Sequence, residues 1–244
     1  MKYYQMHEQV YKRLQNQKAI SWDKETELDK LWSHQINRSL ELFLNQQKIS
    51  FKNLKVLDLG TGTGTCALFC AKNGSFSTGV DISKTAIEMA KANNENLKLN
   101  VKFIEADILN LKLNEKFNLL TDSSLLHCLV GSLDRAKFYE VVKEHLELNG
   151  FFFMHTMIES TDMTSLTENK YFRLQDGVLY SLGISDISDG RVLIENESYF
   201  PHRTILTEEN LLKEINSAGF SVVCSNVISN PGEVNNFIAL LKLK

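Results

Sequence analysis

Three glycines at alternate positions, Gly60, Gly62 and Gly64, follow an apolar run that carries an acid, and the stretch Val56 to Phe69 reads VLDLGTGTGTCALF. Glycines between a strand and the first turn of a helix let backbone approach a ligand closely and turn tightly. The letters parse in two ways. Counted from Gly60 they give G-x-G-x-G with Asp58 two residues ahead; counted from Gly62 they give G-x-G-x-x-A ending at Ala67, the dinucleotide fingerprint. Asp58 favours the first parse, because a buried carboxylate attracts a cationic amino-acid moiety and offers nothing to a pyrophosphate. Asp81 ends the next apolar run, where a carboxylate can accept from both hydroxyls of a ribose, a feature common to both parses. Asp107, in FIEADIL, places another acceptor at the carboxyl edge where open α/β sheets bind ligands. A lone Asp after a strand also serves as a turn or helix cap, and Asp81 ahead of ISKTAIEMA fits that role. Three in register at successive strand ends point to a site.

Further chemistry is concentrated in TDSSLLHCLVGSLDR. Asp122 ends a fourth strand and His127 follows within a turn's reach, so both are candidates for a general base. His127 equally suits a structural histidine bonded to a backbone carbonyl. His155, alone on the apolar run FFFMHTM, reads first as a satisfied core group and second as a substrate contact. His202 and Arg203 suit an anionic substrate or a solvated loop. Trp22, Tyr3, Tyr4 and Tyr11 either cap a pocket or form an amphipathic packing face. Cys66, Cys70, Cys128 and Cys224 form no C-x-x-C pair and lack zinc spacing, so no metal site is expected. Cys66 and Cys70, four apart, read as packing thiols.

The elements that must position these groups follow from periodicity. Residues 1–50 read as a helical cap, with Leu28, Leu31, Trp32, Ile36, Leu40, Phe43 and Leu44 at three-and-four spacing. Strands are expected at 55–59, 76–81, 101–106, 116–122 and 150–157, with helices near 64–73, 83–94 and 132–147. That alternation implies parallel strands with right-handed crossovers in an open doubly wound sheet. Residues 51–157 form this core. Residues 158–206 are polar and mixed, with turns at Asp176 and at Asp189 to Gly190, and read as an insertion after strand five able to close over the carboxyl edge as a lid. Residues 207–244 complete the sheet. Thr207 caps a helix, Gly219 stops it, and strands at 220–227 and 236–243 are joined by a connection too short for a parallel crossover. The last strand is therefore antiparallel.

Of 244 residues, 43% are hydrophobic and 23% charged, which suits one domain with a continuous core. A net charge of −3 argues against a nucleic-acid partner. No signal-like start and no membrane-length apolar window is present, so a cytoplasmic, membrane-free protein is expected.

With four ordered motifs in hand, the sequence resembles the class I S-adenosylmethionine-dependent methyltransferases. VLDLGTGTG looks like their first motif, GVDIS their acidic second-strand end, EADIL their adenine-binding segment and LLTDSSLLHCL the segment after strand four. The resemblance implies a Rossmann-like, mostly parallel seven-stranded sheet with a reversed last strand. It implies S-adenosyl-L-methionine as cofactor, with S-adenosyl-L-homocysteine as product. Gly60, Thr61, Gly62 and Gly64 would line its methionine part, Asp58 would support its amino group, and Asp81 would hold the ribose. Ile82 would lie on the adenine face, Asp107 and Ile108 would bind the adenine edge, and Asp122 would stand beside the methyl. DSxxxH followed by Asp134 and Arg135, with SWD at Ser21 to Asp23, resembles small free-standing members whose acceptors are small molecules. DSSL stands where base-methylating members carry Asn or Asp, two prolines and an aromatic, which argues against nucleobase acceptors. A nicotinamide-dependent oxidoreductase and a catalytically silent cofactor-binding protein are the competing readings.

Overall fold

The computed structural model describes residues 6–183 and 190–244; Tyr3, Tyr4 and Asp189 lie outside them. In chain order the elements are α1 (His7–Asn16), α2 (Gln35–Gln46), β1 (Lys55–Leu59), α3 (Thr65–Lys72), β2 (Phe76–Asp81), α4 (Lys84–Leu97), β3 (Lys102–Glu105), β4 (Phe117–Ser123), α5 (Ser132–His145) and β5 (Leu146–Ile158). They continue with α6 (Thr164–Thr167), β6 (Phe172–Gln175), β7 (Val178–Leu182), β8 (Val192–Ile194), β9 (Glu197–Thr204), α7 (Glu208–Ser217), β10 (Phe220–Ile228) and β11 (Asn235–Leu243).

Seven strands form one sheet in the order β10-β11-β5-β4-β1-β2-β3. β1 pairs in parallel with β2 and β4, while β11 runs antiparallel to both β5 and β10. The order reverses at β1 and β4, the crevice where doubly wound sheets bind ligands. The sheet is covered on both faces, and consecutive residues of β5 show it. Phe152 packs with Phe138, Tyr139 and Phe220 on the α5 and α7 side; Phe153 packs with Ile36, Phe43 and Phe69 on the α2 and α3 side. Ala67 is fully buried among Leu68, Ile87, Ala90 and Phe103, so it packs helix against sheet.

Caps set the helix ends. Ser83 Oγ accepts from Ala86 N–H at α4, Thr207 Oγ1 from Asn210 N–H at α7, and Gly219 stops α7 at φ +89°. The expected continuous amphipathic run in residues 1–50 is broken. Leu28–Ser33 is a 3₁₀ turn, and His34 is extended, its Nδ1 accepting from Ile36 N–H as the cap of α2. Apolar spacing survives the break because both pieces face the same core. β5 begins four residues earlier than its apolar run; Phe117 of β4 pairs with Leu146 and Leu119 with Phe151, so the extra residues of this irregularity lie on β5. The insertion builds a second, four-stranded antiparallel sheet in the order β6-β7-β9-β8. Thr204 Oγ1, at the end of β9, donates to Leu129 O at 2.9 Å and ties this sheet to the turn after β4.

Candidate active site

A cavity of about 610 Å³ opens at the carboxyl ends of β1, β2 and β4. Its wall includes Gly60, Thr61, Gly62, Asp81, Ile82, Asp107, Ile108, His127 and His155 from the core, Tyr11 and Trp22 from the N-terminal segment, and Arg203 from β9. Gly62 has φ +54°, and a Cβ there would lie 2.6 Å from the Tyr11 hydroxyl, so the loop needs glycine beneath α1. Asp81 sits at the end of β2 because β2 runs in parallel beside β1, one strand from the loop. Its carboxylate accepts from Gly62 N–H and Ser83 N–H, each at 2.9 Å, and burial raises its pKa. Asp107 caps the short turn after β3, accepting from Leu109 N–H at 3.0 Å and Asn110 Nδ2 at 2.9 Å.

Four of the expected site residues do not reach the wall. Asp58 is fully buried behind the loop, where Thr61 Oγ1 and Thr121 Oγ1 donate to its two oxygens at 2.6 and 2.7 Å. Burial pushes its carboxyl up to about 6, against those hydroxyls. Through Thr61 it braces the loop from behind. Gly64, with φ +86°, faces the core, and a Cβ there would meet Phe103 at 2.8 Å. Asp122 is fully buried and accepts from Leu125 N–H at 2.6 Å and Leu126 N–H at 3.1 Å, which shapes the 3₁₀ turn Leu126–Cys128. Burial pushes it up to about 7. His202 is off the wall: it is the unpaired residue where the β7–β9 register shifts, between Arg203 opposite Leu179 and Pro201 opposite Tyr180, and its ring stacks on Phe172, 5.8 Å between centroids.

His127 is on the wall, and its state can be read from its partners. Nδ1 accepts from Met157 N–H at 3.3 Å and Thr156 Oγ1 at 3.4 Å, so in the neutral ring the proton sits on Nε2. Burial holds its pKa down at about 4. In that tautomer Nδ1 is engaged by the β5 backbone and Nε2 carries the N–H, the arrangement of the structural histidine that is the alternative to a general base. His155 Nδ1 lies 2.7 Å from Ser124 Oγ, and burial, with His34 nearby, holds His155 down at about 4.

Further groups stand on the wall or brace the elements beside it. Ser124 adopts φ +87°, a strained region for a serine. His34 Nε2 and Asp23 Oδ2, also on the wall, are 2.6 Å apart. Glu8 of α1 accepts from Ser83 Oγ at 2.6 Å and Thr85 Oγ1 at 2.7 Å, latching α1 to the first turn of α4. Trp22 meets Tyr11 edge-on, 5.4 Å between centroids. The only buried side-chain polar atoms without a partner among the described residues, Asn37 Oδ1 and Ser123 Oγ, belong to residues of this same wall. No group of three or more His, Cys, Asp or Glu among the described residues could hold a metal ion.

Residues 50–219 match the family described as the methyltransferase domain. The chain is 34% identical over 118 residues to the release factor glutamine methyltransferase of Bacillus subtilis, covering 39% of this chain and 41% of that protein. It is 38% identical over 82 residues to the ubiquinone biosynthesis O-methyltransferase of Coxiella burnetii, covering 33% and 35%. The matched stretch thus spans less than half the length of these curated relatives. In fold the chain is similar to an S-adenosylmethionine-dependent methyltransferase from Clostridium acetobutylicum, with TM-score 0.67, 19% identity and coverage of 96% and 99%. It is also similar to magnesium protoporphyrin IX methyltransferase of Synechocystis with bound S-adenosylhomocysteine, with TM-score 0.65, 13% identity and coverage of 96% and 94%.

Proposed function

This chain belongs to the methyltransferase-domain family, and on that premise we propose that it transfers a methyl group from S-adenosylmethionine to a small-molecule acceptor by in-line displacement. The observation that carries the reading is one continuous cavity whose floor is the glycine loop with Asp81 and Asp107, and whose sides come from the N-terminal segment and β9. Its volume lies in the range of about 300–1,000 Å³ that encloses small ligands.

The wall suits this cofactor. Asp81 keeps acceptor capacity for a ribose hydroxyl beyond its two backbone partners. Ser123 stands one residue past Asp122, which is in register with Leu59, so it lies beside Gly60. Its unpartnered hydroxyl and Asn37 Oδ1 match the polar groups of an amino-acid moiety. The orientation of Asn37 is fixed, because its Nδ2 donates to Leu31 O at 2.9 Å. Bound there, the cofactor supplies a methyl already activated by its sulfonium.

The protein's part is then proximity, orientation and exclusion of water. Tyr11 and Trp22 roof the loop side. His127 donates its Nε2 proton to an acceptor oxygen or nitrogen and holds it in line. The Ser124 hydroxyl and His155 Nδ1, 2.7 Å apart on the same wall, supply a further polar pair that orients the acceptor. Asp122 acts through the turn it shapes and Asp58 through the loop it braces.

Calorimetry with S-adenosylmethionine and S-adenosylhomocysteine tests the reading, with expected dissociation constants in the micromolar range or tighter; no binding of either would sink it. Transfer of labelled methyl across a small-molecule panel, set beside a peptide panel, tests the acceptor class. Turnover confined to peptides would replace the small molecule by a protein, and cofactor binding without any turnover would favour the silent binding protein.

A further inference from the structure

Two buried arginines flank the turn after β4, and their surroundings differ. Arg135 of α5, 4% exposed, donates through Nε and Nη2 to both oxygens of Glu214 at 2.8 Å and through Nη1 to Leu126 O at 2.7 Å. Its charge is matched within the fold. Arg203 of β9, 8% exposed, donates through Nη1 to His202 O at 2.8 Å. Among the described residues no Asp or Glu forms an ion pair with it. A buried cation without an anionic partner is costly, so a fold keeps one where a ligand supplies the anion.

The groups around Arg203 do not neutralise it. Burial keeps the Tyr11 phenol protonated, with a pKa well above its ordinary value, and holds His127 and His202 in their neutral forms. Burial also raises the Cys128 thiol, yet the Arg203 guanidinium, ahead of His127, brings it below its ordinary value. Arg203, His127 and Cys128 line the same cavity. The insertion delivers the arginine there: β9 pairs with β7 from Tyr199 to Thr204, with a register shift at His202 and Arg203 opposite Leu179, and Thr204, the next residue, is fastened to Leu129 O.

Resting on the methyltransferase reading, we propose that the methyl acceptor is a carboxylate-bearing small molecule whose carboxylate is held by the Arg203 guanidinium, with the His127 Nε2–H beside it. A guanidinium presents N–H groups in a planar fork that matches a carboxylate. The methionine carboxylate of the cofactor has the same chemistry. The acceptor is favoured because Arg203 belongs to the insertion and its neighbour Thr204 is tied to Leu129 O, just past the His127 turn, whereas the unpartnered Asn37 Oδ1 and Ser123 Oγ already offer polar partners for the cofactor's amino-acid moiety.

The test uses the full chain saturated with S-adenosylhomocysteine, titrated calorimetrically with acetate and benzoate and with their neutral counterparts acetamide and benzamide. At least one acid is expected to bind in the millimolar range or tighter, about ten-fold better than its amide. Arg203→Met should erase that preference and leave the affinity for S-adenosylhomocysteine within about two-fold; Arg203→Lys, which keeps the charge and loses the fork, should retain part of it. Acids binding no better than amides in wild type would overturn the proposal without any variant. So would a ten-fold loss of S-adenosylhomocysteine affinity in Arg203→Met, which would assign the arginine to the cofactor's own carboxylate. Failure of wild type to bind S-adenosylhomocysteine at all would strike the methyltransferase reading instead.

Discussion

Asp81 and Asp122 stand at the carboxyl ends of β2 and β4, the parallel strands on either side of β1, and their side chains serve different ends. Asp81 lies on the cavity wall and holds the glycine loop through Gly62 N–H. Replacing it by alanine removes charged hydrogen-bond acceptors, so Asp81→Ala should weaken S-adenosylhomocysteine binding by about 1.5–3 kcal/mol in a calorimetric titration. An unchanged dissociation constant would place the ribose elsewhere. His127 allows a test of its protonation. Its folded pKa of about 4 lies below the ordinary 6.5, so the unfolded chain takes up a proton first as pH falls. The stabilisation from keeping the ring neutral is present above about pH 6.5 and declines by about 1.4 kcal/mol per pH unit through the window down to about pH 4. His127→Asn lacks that dependence. Urea unfolding should therefore show the stability gap between wild type and variant narrowing on acidification, and a gap constant with pH would mean that the ring is not buried neutral.

At the scale of elements, α1 has few apolar residues to hold it: Tyr11 and Leu14 are its buried ones. Its position over the loop depends on Glu8, which takes Ser83 Oγ and Thr85 Oγ1 at the N-terminus of α4, where a carboxylate is favoured by the free N–H groups and the helix dipole. Glu8→Ala should loosen the docking of α1 by about 1–2 kcal/mol, on the scale of a lost cap. Hydrogen exchange should quicken across residues 7–16 and stay unchanged in β1, β4 and β5. Uniform protection in the variant would show that packing alone positions α1. The insertion contributes through one strand: β9 reaches the cavity with Arg203, while β6, β7 and β8 hold β9 in place.

For the whole molecule, the cavity joins segments distant in the chain, since Tyr11 and Trp22, the core loops and Arg203 all bound it. A ligand that touches all of them couples them. S-adenosylhomocysteine at about a hundred times its dissociation constant should stabilise the protein by about 2.7 kcal/mol. The rise in melting temperature should be accompanied by slower exchange in α1. A thermal shift without protection in α1 would show that the N-terminal segment lies outside the bound site.

Sequence alone determined the alternation and parallel direction of the core strands, the cap at Thr207, the reversed last strand and the strand-end positions of Asp81 and Asp107. Those follow from local signals: apolar period, glycine loops and a connection too short to cross over. The strands β1 and β4 are buried on both faces, so alternation could not tell that Asp58 and Asp122 turn away from the cavity while Asp81 reaches it. The insertion's polar pattern gave no register, and its second sheet follows from pairings between distant segments. Three decisions belong to tertiary structure because they rest on contacts far apart in sequence. Glu8 meets Thr85 across 77 positions, His127 takes its tautomer from Met157 across 30, and Arg203 is carried to the His127 turn by β9.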